Sequence, residues 1–287
     1  MNRSRRDLLI LALGVLPALL LGVAWMRQAG VPTVVYMQNV AAAVAGAVIA
    51  VYSPRRRVWP IALLLLLATL VVAGVQGVHR WIRIGPITIH MAFLVIPLVL
   101  VELDRLLRDA RLAIASGTML IVATILAIQP DAGQATAFAG ASTLLLIVHW
   151  KRNPLAIAGM LALLITLACL SFLRRDPLAP VPYVEEIAIR IAQQGAAWAI
   201  AVVIALILLI VPFVVRTTSA ALAIAAYLAL AIAASYWGHF PVPVLGYGMS
   251  PIIGYFAGWA WLRATRNDAL GGSATDRVRR PSRATDA

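Results

Sequence analysis

The chain has 287 residues, 62% of them hydrophobic and only 12% charged, with a mean hydropathy of +0.92. A water-facing domain is usually about 45–50% apolar, so a soluble globular fold is excluded and a polytopic membrane protein is the first reading. The formal net charge of +13 would suggest nucleic acid in a soluble protein. Here the basic residues stand between apolar runs, where membrane topology explains them, and no nucleic-acid partner is expected.

Ten apolar segments follow one another, near residues 8–25, 33–52, 59–77, 91–103, 112–128, 132–149, 155–173, 196–215, 218–237 and 248–263. A bilayer core of about 30 Å takes roughly 17–25 helical residues. Most runs qualify; 91–103 and 248–263 need flanking residues. The first run follows a basic start, as a signal peptide does. It exceeds the ~7–15 apolar residues of such a segment, and no clear A-x-A site follows, so a retained helix is expected. Cys169, the single cysteine, lies within an apolar run and reads as packing.

Ten helices put both termini on one side. If that side is cytoplasmic, the inner segments carry Arg3, Arg5, Arg6, Arg55, Arg56, Arg57, Arg105, Arg108, Arg111, Lys151, Arg152, Arg216 and the six arginines from Arg263 to Arg283. These are 18 of the 24 basic residues, as the positive-inside rule requires. The expected fold is an all-α polytopic membrane protein of about ten transmembrane helices with both termini cytoplasmic. Residues 1–264 form the membrane domain, and the polar stretch 265–287 reads as a disordered cytoplasmic tail.

Five connections then face outward: MRQAGVP, VHRWIRIGPITIH, the QPD turn, the long RRDPLAPVPYVEEIAIRIAQQG and WGHFPVPVLGYGM. In the long one, Glu185, Glu186, Arg190, Gln193 and Gln194 fall on one side at helical spacing, with Ile187, Ala188 and Ile191 toward the other. That pattern suits either a short surface helix or the frayed start of the eighth span. The outer ionisable groups are Asp131, Glu185, Glu186, Asp176, His79, Arg80, Arg83, His90 and His239. An ionisable group beside hydrocarbon defaults to a functional hypothesis. Asp131 is the sharpest, and it has two readings. Pro130 stops the fifth helix and Asp131 stands where the sixth wants an N-cap, so it is a cap or a site residue. The four histidines show no H-x-x-x-H spacing, and no CxxC, G-x-S-x-G, Walker A or G-x-G-x-x-G occurs. Trp81, Trp237, Trp259 and Trp261 suit aromatic belts.

Three stretches, in order, carry a resemblance: GVHRWIRIGP (77–86), QPDAG (129–133) and PVPVLGYGMS (241–250). They resemble the SEDS family of cell-wall glycosyltransferases, with its G-x-[RK]-R-W-x-x-x-G-P, Q-P-D-x-G and P-x-P-F-x-S-Y-G-G-S segments. Gly77, Arg80, Trp81, Gly85 and Pro86 match the first, Gln129, Pro130, Asp131 and Gly133 the second, and Pro241, Pro243, Tyr247, Gly248 and Ser250 the third. The resemblance spans about 60–264. The chain departs where the family has Q-P-S-E-x-x-K after the first motif: here stand His90, Met91, Ala92, Phe93 and Ile96. Gly246 and Met249 replace a Ser and a Gly of the third motif, and the long loop is short.

The resemblance implies polymerisation of a lipid-linked disaccharide–peptide precursor into glycan strands on the outer face of the bacterial cytoplasmic membrane. It implies a class B penicillin-binding protein (a transpeptidase) as partner. Such a transfer needs a carboxylate to take the acceptor proton and positive charge for the departing pyrophosphate. Glu185 is then the candidate base, with Glu186 as substitute. Asp131 is a second carboxylate or a ligand of a possible divalent cation. Arg80 and Arg83 are candidates for pyrophosphate, unless Arg80 only pairs with Asp131. Trp81 would line the substrate path, and Gln129, Tyr247, Gly248 and Ser250 complete the binding set. The alternatives are a non-catalytic precursor-binding or scaffold protein, favoured by the missing Glu and Lys, and a transporter of the precursor.

Overall fold

The computed structural model describes residues 3–51, 59–85, 87–174 and 176–279. Arg55, Arg56, Arg57, Pro86, Arg280 and Arg283, named above, lie outside them. In lipid every backbone N–H and C=O must be satisfied within its own segment, so long apolar runs fold as helices. The helices are α1 (Arg3–Gln28), α2 (Thr33–Val51), α3 (Trp59–Ala68), α4 (Met91–Arg108), α5 (Leu112–Ile128), α6 (Ala132–Val148), α7 (Pro154–Leu173), α8 (Ile187–Ala192), α9 (Ala196–Val214), α10 (Ser219–Trp237) and α11 (Met249–Arg279). A two-stranded antiparallel hairpin, β1 (Trp81–Ile84) and β2 (Ile87–His90), precedes α4.

Ten of these helices fall on the ten apolar runs, and the fold is that of an all-α polytopic membrane protein. Five are long and apolar enough by themselves to cross a membrane: Arg5–Gln28, Thr33–Val51, Pro154–Leu173, Ala196–Val214 and Ser219–Trp237. The outer faces of α7 and α9 carry exposed Leu155, Ile165, Leu173, Val203 and Ile207, a surface suited to lipid rather than water. The centre is α4, with 14 of its 18 residues buried. It packs against α3, α5, α6, α10 and α11. Phe138 of α6, Tyr227 of α10, Phe213 of α9 and Tyr255 and Trp259 of α11 are the large buried side chains around it.

Two boundaries differ from the sequence expectation, at α3 and α11, and between them the alternative left open for α8 is resolved. α3 ends at Ala68 rather than near 77. Thr69 turns its hydroxyl back on Leu66 O at 2.6 Å, a local bond that competes with helix. The β-branched pair Val71-Val72 and then Gly74 and Gly77 follow, none of them good helix formers. α8 is a separate six-residue helix, not the start of α9, because Gly195 at φ +137 breaks the run between them. Its Ile187, Ala188 and Ile191 are buried while Arg190 is exposed, the split its pattern predicts. α11 continues to Arg279, through much of the stretch read as an unstructured tail. No proline interrupts it before Pro281, and its Ala, Leu and Arg residues favour helix.

Asp7 of α1 meets Arg216 at 3.1 Å and Arg263 of α11 at 3.3 Å, and the Arg216 guanidinium lies 3.8 Å over the Trp259 ring. α1 therefore begins, and the apolar part of α11 ends, at the same end of the bundle. Asp104 and Arg108, paired at 2.9 Å, mark that end on α4. The hairpin, the 129–131 turn, the long loop and the 238–248 loop gather at the other, about 20 Å away along α4 at 1.5 Å per residue.

Candidate active site

The site is built on the hairpin. Gly85, at φ +58, makes its turn, and the register sets Trp81 opposite His90 and Arg83 opposite Thr88. Strand alternation leaves Trp81 and Arg83 on one face. His90 closes β2 and is also the residue before α4, so two elements fix it. Its backbone N–H donates to Ser250 Oγ at 2.8 Å, which ties the hairpin to the first turn of α11. The ring sits edge-on to Trp81 at 5.6 Å and to Phe93 at 5.0 Å.

Asp131 does cap α6: Gln134 N–H donates to its Oδ1 at 3.3 Å. Its other oxygen, Oδ2, lies 3.3 Å from His90 Nε2. The carboxyl group is 1% exposed. Burial alone would raise it, but the Arg80 guanidinium, then His90 and the Gln134 N–H, outweigh burial and hold it below the ordinary carboxylate range. The Gln134 side chain accepts from the Tyr227 hydroxyl, so α10 braces this turn as well. Arg80 lies close enough to act on Asp131 by its charge, but its ion pair is with a different acid. Its Nη2 pairs with Asp176 Oδ2 at 2.7 Å and donates to Pro130 O. Gln129 is buried under the same turn and donates to Thr69 Oγ1 at the end of α3.

The long loop and the last loop are joined by backbone. Val242 N–H donates to Val184 O at 3.2 Å, and Tyr247 N–H to Tyr183 O at 2.8 Å. Asn39, fully buried in the mostly apolar α2, clamps the Gly246-Tyr247-Gly248 turn from both sides. Its Nδ2 donates to Gly246 O and its Oδ1 accepts from Gly248 N–H, each at 2.9 Å. Beside it Gln38 accepts from the Tyr247 hydroxyl at 3.0 Å. A Cβ at Gly246 would stand 2.6 Å from Val184 O, so the close approach of the two loops needs glycine there.

These pieces enclose a cavity of about 160 Å³, walled by Trp81, Thr88, His90, Phe93, Glu185, Tyr247, Gly248 and Ser250 among others. Glu185 Oε2 accepts from Val181 N–H at 2.7 Å, and burial pushes its carboxyl up against the pull of that N–H and of Arg80. Glu185 also borders a wider groove of about 480 Å³ with Glu186, Arg190, Gln193, Tyr236, Trp237 and His239. Glu186 is held by Arg190 at 2.6 Å and faces only the groove.

The structure thus brings together Trp81, Glu185, Tyr247, Gly248 and Ser250 on one wall, with Asp131 directly behind His90. Arg80 and Gln129 are not on it: both are buried, bonded beneath the 129–131 turn. Arg83 is exposed on the hairpin. A divalent cation does not fit Asp131, because one oxygen holds the helix cap and the other faces His90, with Arg80 beside them. Among the described residues, no three His, Cys, Asp or Glu side chains gather as a metal set. Three residues of the site carry more than their sequence suggested. Asn39 and its neighbour Gln38 are the two amides in an apolar span, which was the signal. His90 and Asp176 gave none beyond being ionisable.

No family model matches the chain, and no curated protein matches it. Among solved structures, the rod shape determining protein RodA of Thermus thermophilus is similar over 90% of this chain and 96% of its own, at 21% identity and a TM-score of 0.68. A mutant of that protein gives 20% identity and a TM-score of 0.67 over the same shares. A chain from a peptidoglycan synthase complex, solved for the structural coordination of polymerization and crosslinking, is similar over 90% of this chain and 97% of its own, at 20% identity and a TM-score of 0.57. At that identity the likeness establishes the fold alone: this chain is a helical membrane protein with the RodA arrangement of helices.

Proposed function

We propose that the chain is a SEDS-type glycosyltransferase that polymerises a lipid-linked disaccharide–peptide precursor on the outer face of the bacterial cytoplasmic membrane. One observation carries the reading: segments far apart in sequence, 81–93, 181–185 and 241–251, close around one small cavity with a carboxylate on its wall. The fold shared with RodA agrees with it. A class B penicillin-binding protein is the partner the same reading expects.

In this reading the acceptor hydroxyl is deprotonated by Glu185 as its oxygen attacks the anomeric carbon and the polyprenyl diphosphate leaves. A carboxyl raised by its surroundings is a better base near neutral pH than an ordinary one. Asp131 stays ionised and acts through His90. Glu186, paired with Arg190, serves the groove rather than the transfer. The wider groove would take the sugar chain, with Tyr236 and Trp237 as its apolar wall.

The test is strand synthesis by purified protein from lipid-linked precursor, with and without a co-expressed transpeptidase. Glu185→Gln is expected to lose about 10²–10⁴-fold in rate, the usual worth of a positioned base. Asp131→Asn is expected to fall below wild type, and Glu186→Gln to stay within about threefold of it. Full strand yield from both Glu185→Gln and Asp131→Asn overturns the assignment. A second reading, precursor binding without turnover, is favoured by Phe93 and Ile96. Where the family has Glu and Lys, these two are buried apolar side chains. Saturable precursor binding with no strands in any condition would establish it.

A further inference from the structure

A pocket of about 290 Å³ opens at the opposite end of α4, where α1 begins. Asp104 and Arg108 of α4, Arg216, Thr218 and Ser219 around the start of α10, and Thr265 of α11 wall it among others. Two guanidinium groups reach it. Arg108 meets Asp104 through Nε at 2.9 Å and is about half exposed. A guanidinium carries five donors in a planar fork, so the outer edge turns away from that contact. Arg216 is fixed by Asp7 at 3.1 Å and by the Trp259 ring at 3.8 Å. It brings charge already in place. Thr218 Oγ1 accepts from Ala221 N–H at 3.2 Å, which leaves its own proton to donate. Asp104 is the carboxylate on the wall. It is 2% exposed and answered by Arg108 and the Ser219 hydroxyl. Asp7 is shared between Arg216 and Arg263. Three guanidinium groups against two carboxylates leave one positive charge in excess, so the pocket suits an anion.

The surroundings say which anion. Ile200, Ile204, Ile207, Val211 and Val215 are all exposed, and steps of three or four residues put them on one face of α9. That apolar stripe ends one residue before Arg216. An acyl chain lying along it brings the phosphate of its own headgroup to the level of the pocket. We propose that the pocket binds the phosphate of an anionic phospholipid, whose chains lie along α9. The inference uses no residue of the outer cavity and stands apart from the glycosyltransferase reading.

Size and chemistry agree with that occupant. At about 290 Å³ the pocket stands at the lower edge of the ligand-site range of about 300–1,000 Å³. It takes a phosphodiester and its polar substituent and leaves the chains outside. Arginine binds phosphate through two parallel N–H bonds, and basic pockets between transmembrane helices select anionic headgroups. The phosphate draws Arg108 of α4 and Arg216 ahead of α10 toward one anion, with the Thr218 hydroxyl as a further donor. It thereby ties α4 to the α9–α10 connection, beside α11, at the end of the bundle away from the outer cavity.

The experiment is lipid retention by the full chain, exchanged into mixed micelles of phosphatidylglycerol and phosphatidylcholine and read by native mass spectrometry. The wild type should keep phosphatidylglycerol on the order of tenfold over phosphatidylcholine. Arg108→Gln should bring that ratio close to one. Arg108→Lys should fall between, since it keeps the charge and loses the fork. Arg111 is exposed at the same end and is not part of the pocket wall, so Arg111→Gln should leave the ratio unchanged. An equal loss in Arg111→Gln would mean general charge attraction and overturn the site, as would an unchanged ratio in Arg108→Gln. Thermal unfolding in detergent separates the sources. Phosphatidylglycerol should raise the midpoint, and glycerol phosphate or inorganic phosphate at the same concentration should not. Equal protection by the soluble phosphates assigns the pocket to a free anion and overturns the lipid.

Arg108→Gln can fail to fold, because it removes a partner of the buried Asp104, so a second arm uses the wild type alone. A phosphatidylglycerol with a photoactivatable diazirine in its headgroup should crosslink within residues 215–220 and 262–265, read by peptide mass spectrometry. Excess unlabelled phosphatidylglycerol should remove those crosslinks. Crosslinks confined to other segments, or crosslinks that excess phosphatidylglycerol leaves in place, overturn the proposal. No arm reads strand synthesis, so a chain that makes no strands and passes these tests keeps the lipid site and loses the polymerase reading alone.

Discussion

Asn39 shows how much one side chain can hold. It satisfies Gly246 O and Gly248 N–H at once, 207 and 209 residues away. Asn39→Ala would leave two buried backbone groups unpaired, at about 1–3 kcal/mol each. The expected outcome is a lower melting temperature in detergent together with lost strand synthesis, because the turn that carries Tyr247 and Gly248 loosens. Asn39→Asp keeps only the acceptor and should fall between. An adjacent pair of amides, Gln38 and Asn39, in an apolar span marks the position as important, but nothing in the sequence names the partner of Asn39, since no motif spacing links α2 to the last loop. Asp131 was the reverse: its motif neighbours made it visible, while its contact with His90 depended on a tertiary approach. Asp176 stayed unassigned because the loop between Leu173 and Ile187 lacks a periodic pattern.

The two carboxylates also make opposite predictions for stability against pH. The Glu185 carboxyl is raised in the fold, so its contribution is fully present below its ordinary value of 4.5 and is lost as pH rises through the raised value. Glu185→Gln should therefore melt higher than wild type at neutral pH, with the gap closing in acid. The Asp131 carboxyl is depressed, so its contribution is present above its ordinary value of 3.8 and is lost as pH falls through the depressed one. Asp131→Asn should melt lower than wild type at neutral pH, and that gap too should close in acid. Melting curves of both variants from about pH 3 to pH 8 check the signs. A variant that is more stable and less active at Glu185 is the expected mark of a site held at a cost to the fold.

At the scale of elements, what matters is how closely α4 and α11 approach. Gly254 of α11 lies against Phe93 O, and a Cβ there would overlap that carbonyl. The contact sits one turn from Ser250, whose hydroxyl receives the His90 N–H. Gly254→Ala should push the two helices apart and cost about 1–3 kcal/mol, as overpacking does. Precursor turnover should drop even where the protein still folds, and a Ser250–His90 distance probe by cysteine crosslinking would detect the shift. The helices were legible because an apolar run has one fold available in lipid. The hairpin was not, since eight residues of WIRIGPITIH read equally as polar-aromatic loop. The early end of α3 was also hidden: it depends on a threonine hydroxyl turning back on the helix, not on hydropathy.

For the whole molecule the open quantity is orientation. The structure puts Asp7, Arg216 and Arg263 together at one end and the cavity at the other, and in the sequence 18 of the 24 basic residues fall in the segments expected on the side of the termini. By the positive-inside rule we propose that the cavity faces outward. Cys169 allows a direct check, because it is the only cysteine and Cys169→Ala gives a clean background. In that background His239→Cys, at the edge of the groove, should react with a membrane-impermeant maleimide in intact spheroplasts. Lys151→Cys, at the other end beyond α6, should react only after permeabilisation. The native Cys169 is exposed in the last turn and a half of α7 and should resist the reagent in both states if that face meets lipid. The opposite labelling pattern would turn the cavity toward the cytoplasm. A polymerase whose product must lie outside the cell cannot work in that orientation, so this inexpensive measurement bears on the function as directly as the transfer assay does.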